Sequence, residues 1–241
     1  MVIAAPAARR RAAPFTDGAV DVVVARPDVG PDAVGASATL LSHAERERGR
    51  RFAFEPDRGR FIVARALLRQ LLAARLGVRP ESVELVSGAR GKPALAGRFA
   101  TSDLRFNVSH CEDVVVYAFS SGREVGIDVE AVRPLPDADE LAAYCFSPHE
   151  RATYQALEPR DRALGFFQCW TRKEAFVKAL GDGLYHPLDR FDVSLAPGEP
   201  AEILRVEDVP GDQCPWRLEA FSPVPGFVAA VVAERLTEDD R

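Results

Sequence analysis

The sequence predicts an α+β fold made of two pseudo-repeated halves, each a long helix packed on a small antiparallel sheet. Three observations lead there. The same order of β-type run, short helix, long amphipathic helix and short strands occurs twice. Each long helical segment stops at a glycine, Gly77 and then Gly181. An ungapped shift of 105 residues lays Ser42 on Ser147, Glu45 on Glu150, Arg46 on Arg151, Phe61 on Phe166 and Ala74 on Ala179. Those identities are close to chance, so the shared order of elements carries the argument.

The first half opens with the apolar run Ala19–Ala25, a strand by composition. A helix starts near Ser42, and a longer one runs from about Asp57 to Leu76. Phe61, Leu67, Leu68, Leu71, Leu72 and Leu76 recur along it at helical spacing. Gly77 is its C-terminal stop. Strands follow at Ser82–Val86, Leu104–Ser109 and Val114–Ser120. In the second half Val125–Glu130 reads as a strand. Ser147 and Glu150 have capping-box spacing with Pro148 at the first helical position. A long helix spans about Arg160 to Leu180. Strand-like runs close the chain at Phe191–Leu195, Glu202–Val206, Trp216–Phe221 and Phe227–Val232. The expected division is a flexible arm over 1–15, an N-terminal half over 16–122 and a C-terminal half over 123–241, with the joint near Ser121–Glu124.

At 241 residues, 47% hydrophobic and 28% charged, the chain has an ordinary globular composition. It is long enough to bury a core without disulfides or a structural metal. Cys111, Cys145, Cys169 and Cys214 are scattered without a CxxC pair, so neither a zinc site nor a disulfide framework is expected, and the reducing cytoplasm is the natural compartment. The apolar run at the N-terminus is too short and proline-broken for a signal sequence, and no segment is long enough to span a membrane. The net charge of −5 conceals a split. Residues 1–121 carry 18 Lys and Arg against 13 Asp and Glu; residues 122–241 carry 13 against 23. A cationic half could hold an anionic ligand while an acidic half supplies carboxylates for a metal. Uneven drift of surface charge fits the split equally well.

The chemistry concentrates in a few short motifs. In Val125-Gly-Ile-Asp-Val-Glu130 the acids Asp128 and Glu130 sit two apart, so both leave one face of a strand while Ile127 and Val129 point into a core. Paired carboxylates repel unless a cation or proton lies between them. Magnesium, an oxygen-seeking ion often shared with phosphates, suits the place; an exposed acidic strand face is the alternative. Trp170, Glu174 and Lys178 form one stripe of the second long helix. Glu174 could complete a metal site and Lys178 could meet a phosphate, or the two could be a surface pair. Ser87–Ala94 is a glycine-bracketed basic turn with Arg90, Gly91, Lys92 and Pro93, and it lacks Walker A spacing. Phe106-Asn107-Val-Ser109-His110 offers a hydroxyl and an imidazole at a strand end. Without a GxSxG elbow a serine-hydrolase reading fails. Arg46, Arg48, Arg50, Arg51, Arg58 and Arg60 crowd one stretch in which Phe52 and Phe54 are assigned to the core. The acidic chain and the lack of free aromatics argue against nucleic acid and for a local phosphate clamp.

In this order the motifs resemble the 4′-phosphopantetheinyl transferase superfamily, in its long, pseudo-dimeric class typified by the enzyme that activates surfactin synthetase. The residues carrying the likeness are Gly91-Lys92-Pro93, Phe106–His110, Gly126–Glu130 and Trp170–Lys178, followed by Gly181-Asp-Gly-Leu184, over roughly residues 40–195. The resemblance implies that superfamily's fold. It also implies transfer of the phosphopantetheine arm of coenzyme A to a serine of an acyl or peptidyl carrier protein, with release of 3′,5′-ADP. By the same likeness Asp128, Glu130 and Glu174 hold Mg2+, and Glu174, Lys178 and Asp128 are the catalytic groups. Lys178 and His110 meet the coenzyme A phosphates. Arg48 or Arg51, Lys92 and Ser109 hold the 3′-phosphoadenosine end, with Arg90, Gly91, Pro93 and Asn107 in the same grip. Glu45 departs from the pattern, since some relatives carry lysine there. A doubled chain implies a monomer. A catalytically silent binder of coenzyme A or carrier proteins is the alternative.

Overall fold

The protein is described here by a computed structural model, which covers residues 9–11, 20–88, 91–181, 187–210 and 213–235. In the first half, β1 (Arg9–Arg11) and β2 (Val20–Ala25) precede three helices, α1 (Pro31–Ala38), α2 (His43–Arg50) and α3 (Glu55–Leu76). Strands β3 (Leu85–Ser87), β4 (Pro93–Leu95), β5 (Leu104–Cys111) and β6 (Val114–Ser121) follow. The second half runs β7 (Val125–Ala131), α4 (Ala138–Cys145), α5 (Pro148–Ala156), α6 (Arg162–Leu180), β8 (Phe191–Val193), β9 (Ile203–Val206), β10 (Trp216–Phe221) and β11 (Phe227–Glu234).

Two antiparallel sheets, ordered β1-β2-β6-β5 and β10-β11-β7, form the centre, and the hairpins β3-β4 and β8-β9 flank them. The alternation of each strand decides which layer a side chain joins. Val20, Val22, Val24, Val114, Val116 and Ala118 face Val125, Ile127, Val129, Ala229 and Val231 between the sheets. The opposite face of the first sheet, with Val23, Tyr117 and Phe119, packs on Leu67, Leu68 and Leu72 of α3. The opposite face of the second sheet, with Leu218, Ala230 and Val232, packs on Phe166, Phe176 and Val177 near α6. The layers therefore run α3, sheet, sheet, α6. Ile127 and Val129 are buried as their parity required, each worth roughly 1.5–3 kcal/mol.

Both glycine stops adopt the left-handed conformation they were expected to supply, with φ of 67° at Gly77 and 76° at Gly181. The capping box is present at Ser147, and a second one stands at Ser42. In each, the glutamate reaches back to the helix start and also grips a cation of the long helix behind it: Glu45 with Arg69 at 2.7 Å, Glu150 with Lys173 at 2.8 Å. Several expectations need correction. Arg9–Arg11 form a strand against Val22–Val24 rather than part of a free arm. Ser82 lies in a 3-10 turn, and β4 occupies part of the segment read as a turn. Phe54 is 71% exposed and Phe52 39%, so neither belongs to the core. Phe52 packs instead against Phe61, with ring centres 5.3 Å apart.

Candidate active site

The candidate residues gather where β5 runs beside β7, beneath the last turns of α6. No backbone ladder joins β5 to β7; side chains bridge them. The buried Asn107 accepts a hydrogen bond from the Ile127 amide at 2.9 Å, and Cys111 Sγ accepts one from the Ala131 amide at 3.4 Å. Gly126 brings the helix down on the strand. A Cβ there would lie 2.1 Å from the carbonyl oxygen of Ala175 and 2.3 Å from the amide nitrogen of Ala179. Only glycine permits that backbone-to-backbone approach. One step along the same face of β7, Asp128 then meets α6.

Asp128 is 4% exposed. Its Oδ1 accepts from Lys178 Nζ at 2.5 Å and from Ser109 Oγ at 2.8 Å, while Lys178 Nζ stands 3.1 Å from Ser109 Oγ. Three expected residues from three elements thus meet at one oxygen. Asp128 Oδ2 and Glu174 Oε1 are buried without a hydrogen-bond partner. Two buried carboxylate oxygens left unanswered are costly, and such oxygens are the hard donors that a magnesium ion accepts. Burial pushes the Glu174 carboxyl above its usual range; Lys178 opposes this, and the Asp128 and Glu130 charges add to it. Glu130 is pushed up by burial and by Asp128, against the Cys111 thiol and Arg133. The three acids therefore share one field. Among the described residues, no three His, Cys, Asp or Glu side chains are drawn close enough to hold an ion as they stand. The Lys178 ammonium answers Asp128.

A cavity of roughly 210 Å3 opens on the first-half side, lined by Arg48, Phe61, Arg65, Gly91, Pro93 and His110 among others. His110 feels both ends. Burial and Lys178 push its pKa down, Asp128 opposes them, and Arg48 and Arg60 add to the depression. Arg48 and Arg51 also line a shallower hollow of about 510 Å3 with Phe52 and Ser87. Lys92 points the other way. Its Nζ donates to the Lys178 carbonyl at 2.8 Å and to the Val125 carbonyl at 3.4 Å, and lies 3.5 Å from Glu124. It ties the basic turn to the end of α6, where the helix dipole favours a cation. Gly91 takes a φ of 80° in that turn, bonding its amide to the Gly88 carbonyl at 2.9 Å. Arg90, with Asp182, Gly183 and Leu184, lies outside the described residues.

Sequence reasoning passed over Arg65. It was one arginine among many on a helix whose periodicity spoke only of packing, yet it enters the cavity wall beside Arg48. Its ion pair with Glu45 spans two helices.

A family model described as the 4′-phosphopantetheinyl transferase superfamily matches residues 124–232, and one described as 4′-phosphopantetheinyl transferase, N-terminal, matches residues 31–122. The chain is 39% identical over 183 residues to 4′-phosphopantetheinyl transferase HetI of Nostoc sp., covering 73% of this chain and 77% of that one. It is 29% identical to 4′-phosphopantetheinyl transferase Sfp of Bacillus subtilis, over 81% of this chain and 83% of the other. A shorter match, 40% identical over 47% of this chain and 56% of its counterpart, is to 4′-phosphopantetheinyl transferase AcpT of Salmonella typhimurium.

Proposed function

The chain belongs to the 4′-phosphopantetheinyl transferase superfamily, in the class that contains Sfp, and from that premise we propose how its residues carry out the transfer. The substrate is coenzyme A, and the acceptor is a serine of an acyl or peptidyl carrier protein. The serine oxygen bonds to the β-phosphorus of coenzyme A. The bond from that phosphorus to the bridging oxygen breaks, and 3′,5′-ADP leaves with the electron pair. The observation that supports this reading is the junction of Asp128, Ser109 and Lys178 at one oxygen, with Asp128 Oδ2 and Glu174 Oε1 buried and unpartnered, while His110, in the wall of the arginine-lined cavity, feels the charges of both Lys178 and Asp128.

Asp128, Glu130 and Glu174 are the residues that would hold magnesium, which when bound neutralises diphosphate charge. Lys178, already at the junction, supplies a further positive charge to the diphosphate. His110, whose imidazole is biased to the neutral form, donates a hydrogen bond to a phosphate oxygen. Glu174 Oε1 takes the serine proton. Asn107, Gly91, Pro93 and Lys92 fix the frame: Asn107 locks β5 to β7, and Lys92 ties the basic turn to α6. Residues 16–122 thus grip the nucleotide and residues 123–241 supply the carboxylates. The doubled architecture suits a monomer, and the scattered free cysteines suit the cytoplasm. Among the described residues no helix is long and apolar enough to cross a membrane.

The test is mass spectrometry of an apo carrier domain incubated with the protein, coenzyme A and magnesium. A gain of one phosphopantetheine, lost when the metal is chelated, supports the reading. A silent binder, which the relatives do not favour, would leave the carrier mass unchanged and release no 3′,5′-ADP.

A further inference from the structure

In place of a backbone ladder, β5 meets β7 through one row of its side chains. Asn107, Ser109 and Cys111 are two apart along the strand and leave one face, while Phe106, Val108 and His110 leave the other. Each of the first three reaches β7. Asn107 holds the Ile127 amide, and Ser109 donates to Asp128 Oδ1 at 2.8 Å. Cys111 makes both kinds of contact: its Sγ accepts from the Ala131 amide at 3.4 Å, and its thiol donates to Glu130 Oε2 at 3.5 Å. A thiol has one weak donor and a weakly accepting sulfur, so both capacities are in use.

The two acids of β7 are held unequally. Asp128 is buried and receives both Lys178 and Ser109. The Glu130 side chain is one methylene longer and 24% exposed, and among the described residues Cys111 is its hydrogen-bond donor. Arg133 approaches the same Oε2 at 3.7 Å, beyond hydrogen-bond reach, with its half-exposed guanidinium over the Phe167 ring. Neither contact uses Oε1. A glutamate left to turn freely would lose rotamer freedom on meeting an ion, which weakens binding. Hydrogen bonds from outside the ligand set commonly orient metal-binding carboxylates. We propose that Cys111 is a positioning residue: its thiol fixes the Glu130 carboxylate for the divalent ion as Ser109 fixes Asp128, so that one strand sets both acids of the other. This rests on the transferase reading above, in which Asp128, Glu130 and Glu174 receive magnesium.

The experiment titrates Mn2+, an oxygen-seeking stand-in for magnesium, into the protein with coenzyme A and no carrier, and follows the free ion by electron paramagnetic resonance. Wild type, Cys111→Ala, Cys111→Val, Cys111→Ser and Glu130→Gln are compared, each with a thermal melt. Cys111→Ala should weaken Mn2+ binding about tenfold or more, the scale of a lost partner behind a metal ligand. The magnesium needed for half-maximal carrier loading should rise by the same factor. Cys111→Val, which fills the volume without the hydrogen bonds, should match it and serves alone if the alanine variant does not fold. Cys111→Ser, whose hydroxyl also accepts and donates, should stay near wild type. Wild-type Mn2+ affinity in the folded alanine and valine variants overturns the inference. So does a serine variant as weak as alanine, which assigns the loss to packing. In either case, continued loading of the carrier by wild type keeps the transferase reading. A Glu130→Gln variant that binds Mn2+ as tightly as wild type removes Glu130 from the metal site, and this inference with it.

Discussion

Replacing Gly126 with alanine should prise α6 from β7. The new methyl would sit 2.1 Å from one backbone oxygen and 2.3 Å from a backbone nitrogen, where ordinary contact begins at 3.4 Å. Relief requires a separation of about 1.3 Å at that point, and neither neighbour is a side chain that could swing aside. Overpacking costs about 1–3 kcal/mol in general, and backbone neighbours place this case at the upper end. For a chain of this size that is a loss of roughly 6–12 °C in melting temperature. The same displacement would draw Lys178 off Asp128, and a misplacement of about 1 Å can cost on the order of 100-fold in rate. Differential scanning calorimetry and carrier loading on the same preparation check both effects. A variant that melts within a degree or two of wild type and loads at the wild-type rate would refute the claim that glycine sets this contact.

Two further perturbations test the scaffold. Lys173 and Glu150 are fully buried and 2.8 Å apart, so Lys173→Met strands a carboxylate and should cost about 3–5 kcal/mol in urea unfolding. Adding Glu150→Gln should recover much of that, and a single-variant loss below about 1 kcal/mol would contradict the argument. At Asp192, burial alone would raise the carboxyl, but bonds from Arg205 and Ser147 outweigh it and leave its pKa depressed. Its stabilisation is therefore present above the unfolded value near pH ~3.9 and is lost as pH falls through the lower folded value. Arg205→Ala should move the acid-unfolding midpoint, followed by circular dichroism, to higher pH; an unmoved midpoint would show the pair to be inert.

Parts of the candidate site's geometry could be read in the sequence because their signals are local. Strand parity alone set Ile127 and Val129 on one face and Asp128 and Glu130 on the other, and the structure buries Ile127 and Val129 between the sheets. Helical spacing put Glu174 and Lys178 on one stripe. The missed features depend on distant partners. Short, alanine-rich α1 and α4 have little periodicity to read. Lys92 seemed free to meet a phosphate, and nothing nearby in the chain revealed the Lys178 carbonyl, 86 positions later, that receives it. Asn107 looked like part of a ligand motif, but its burial against the Ile127 amide emerges only when the halves close together. Phe54 was assigned inward on hydrophobicity alone, and exposed phenylalanines are not rare enough for that rule.

The sharpest single measurement is the loading rate of Glu174→Gln under saturating coenzyme A, carrier and magnesium, followed by intact-protein mass spectrometry. The substitution preserves shape and removes a buried charge whose oxygen has no partner, so folding should be unharmed. Transfer should fall at least about 100-fold, the scale of a lost general base. A folded variant that converts apo to holo carrier as fast as wild type would contradict the assignment of this carboxylate to the reaction.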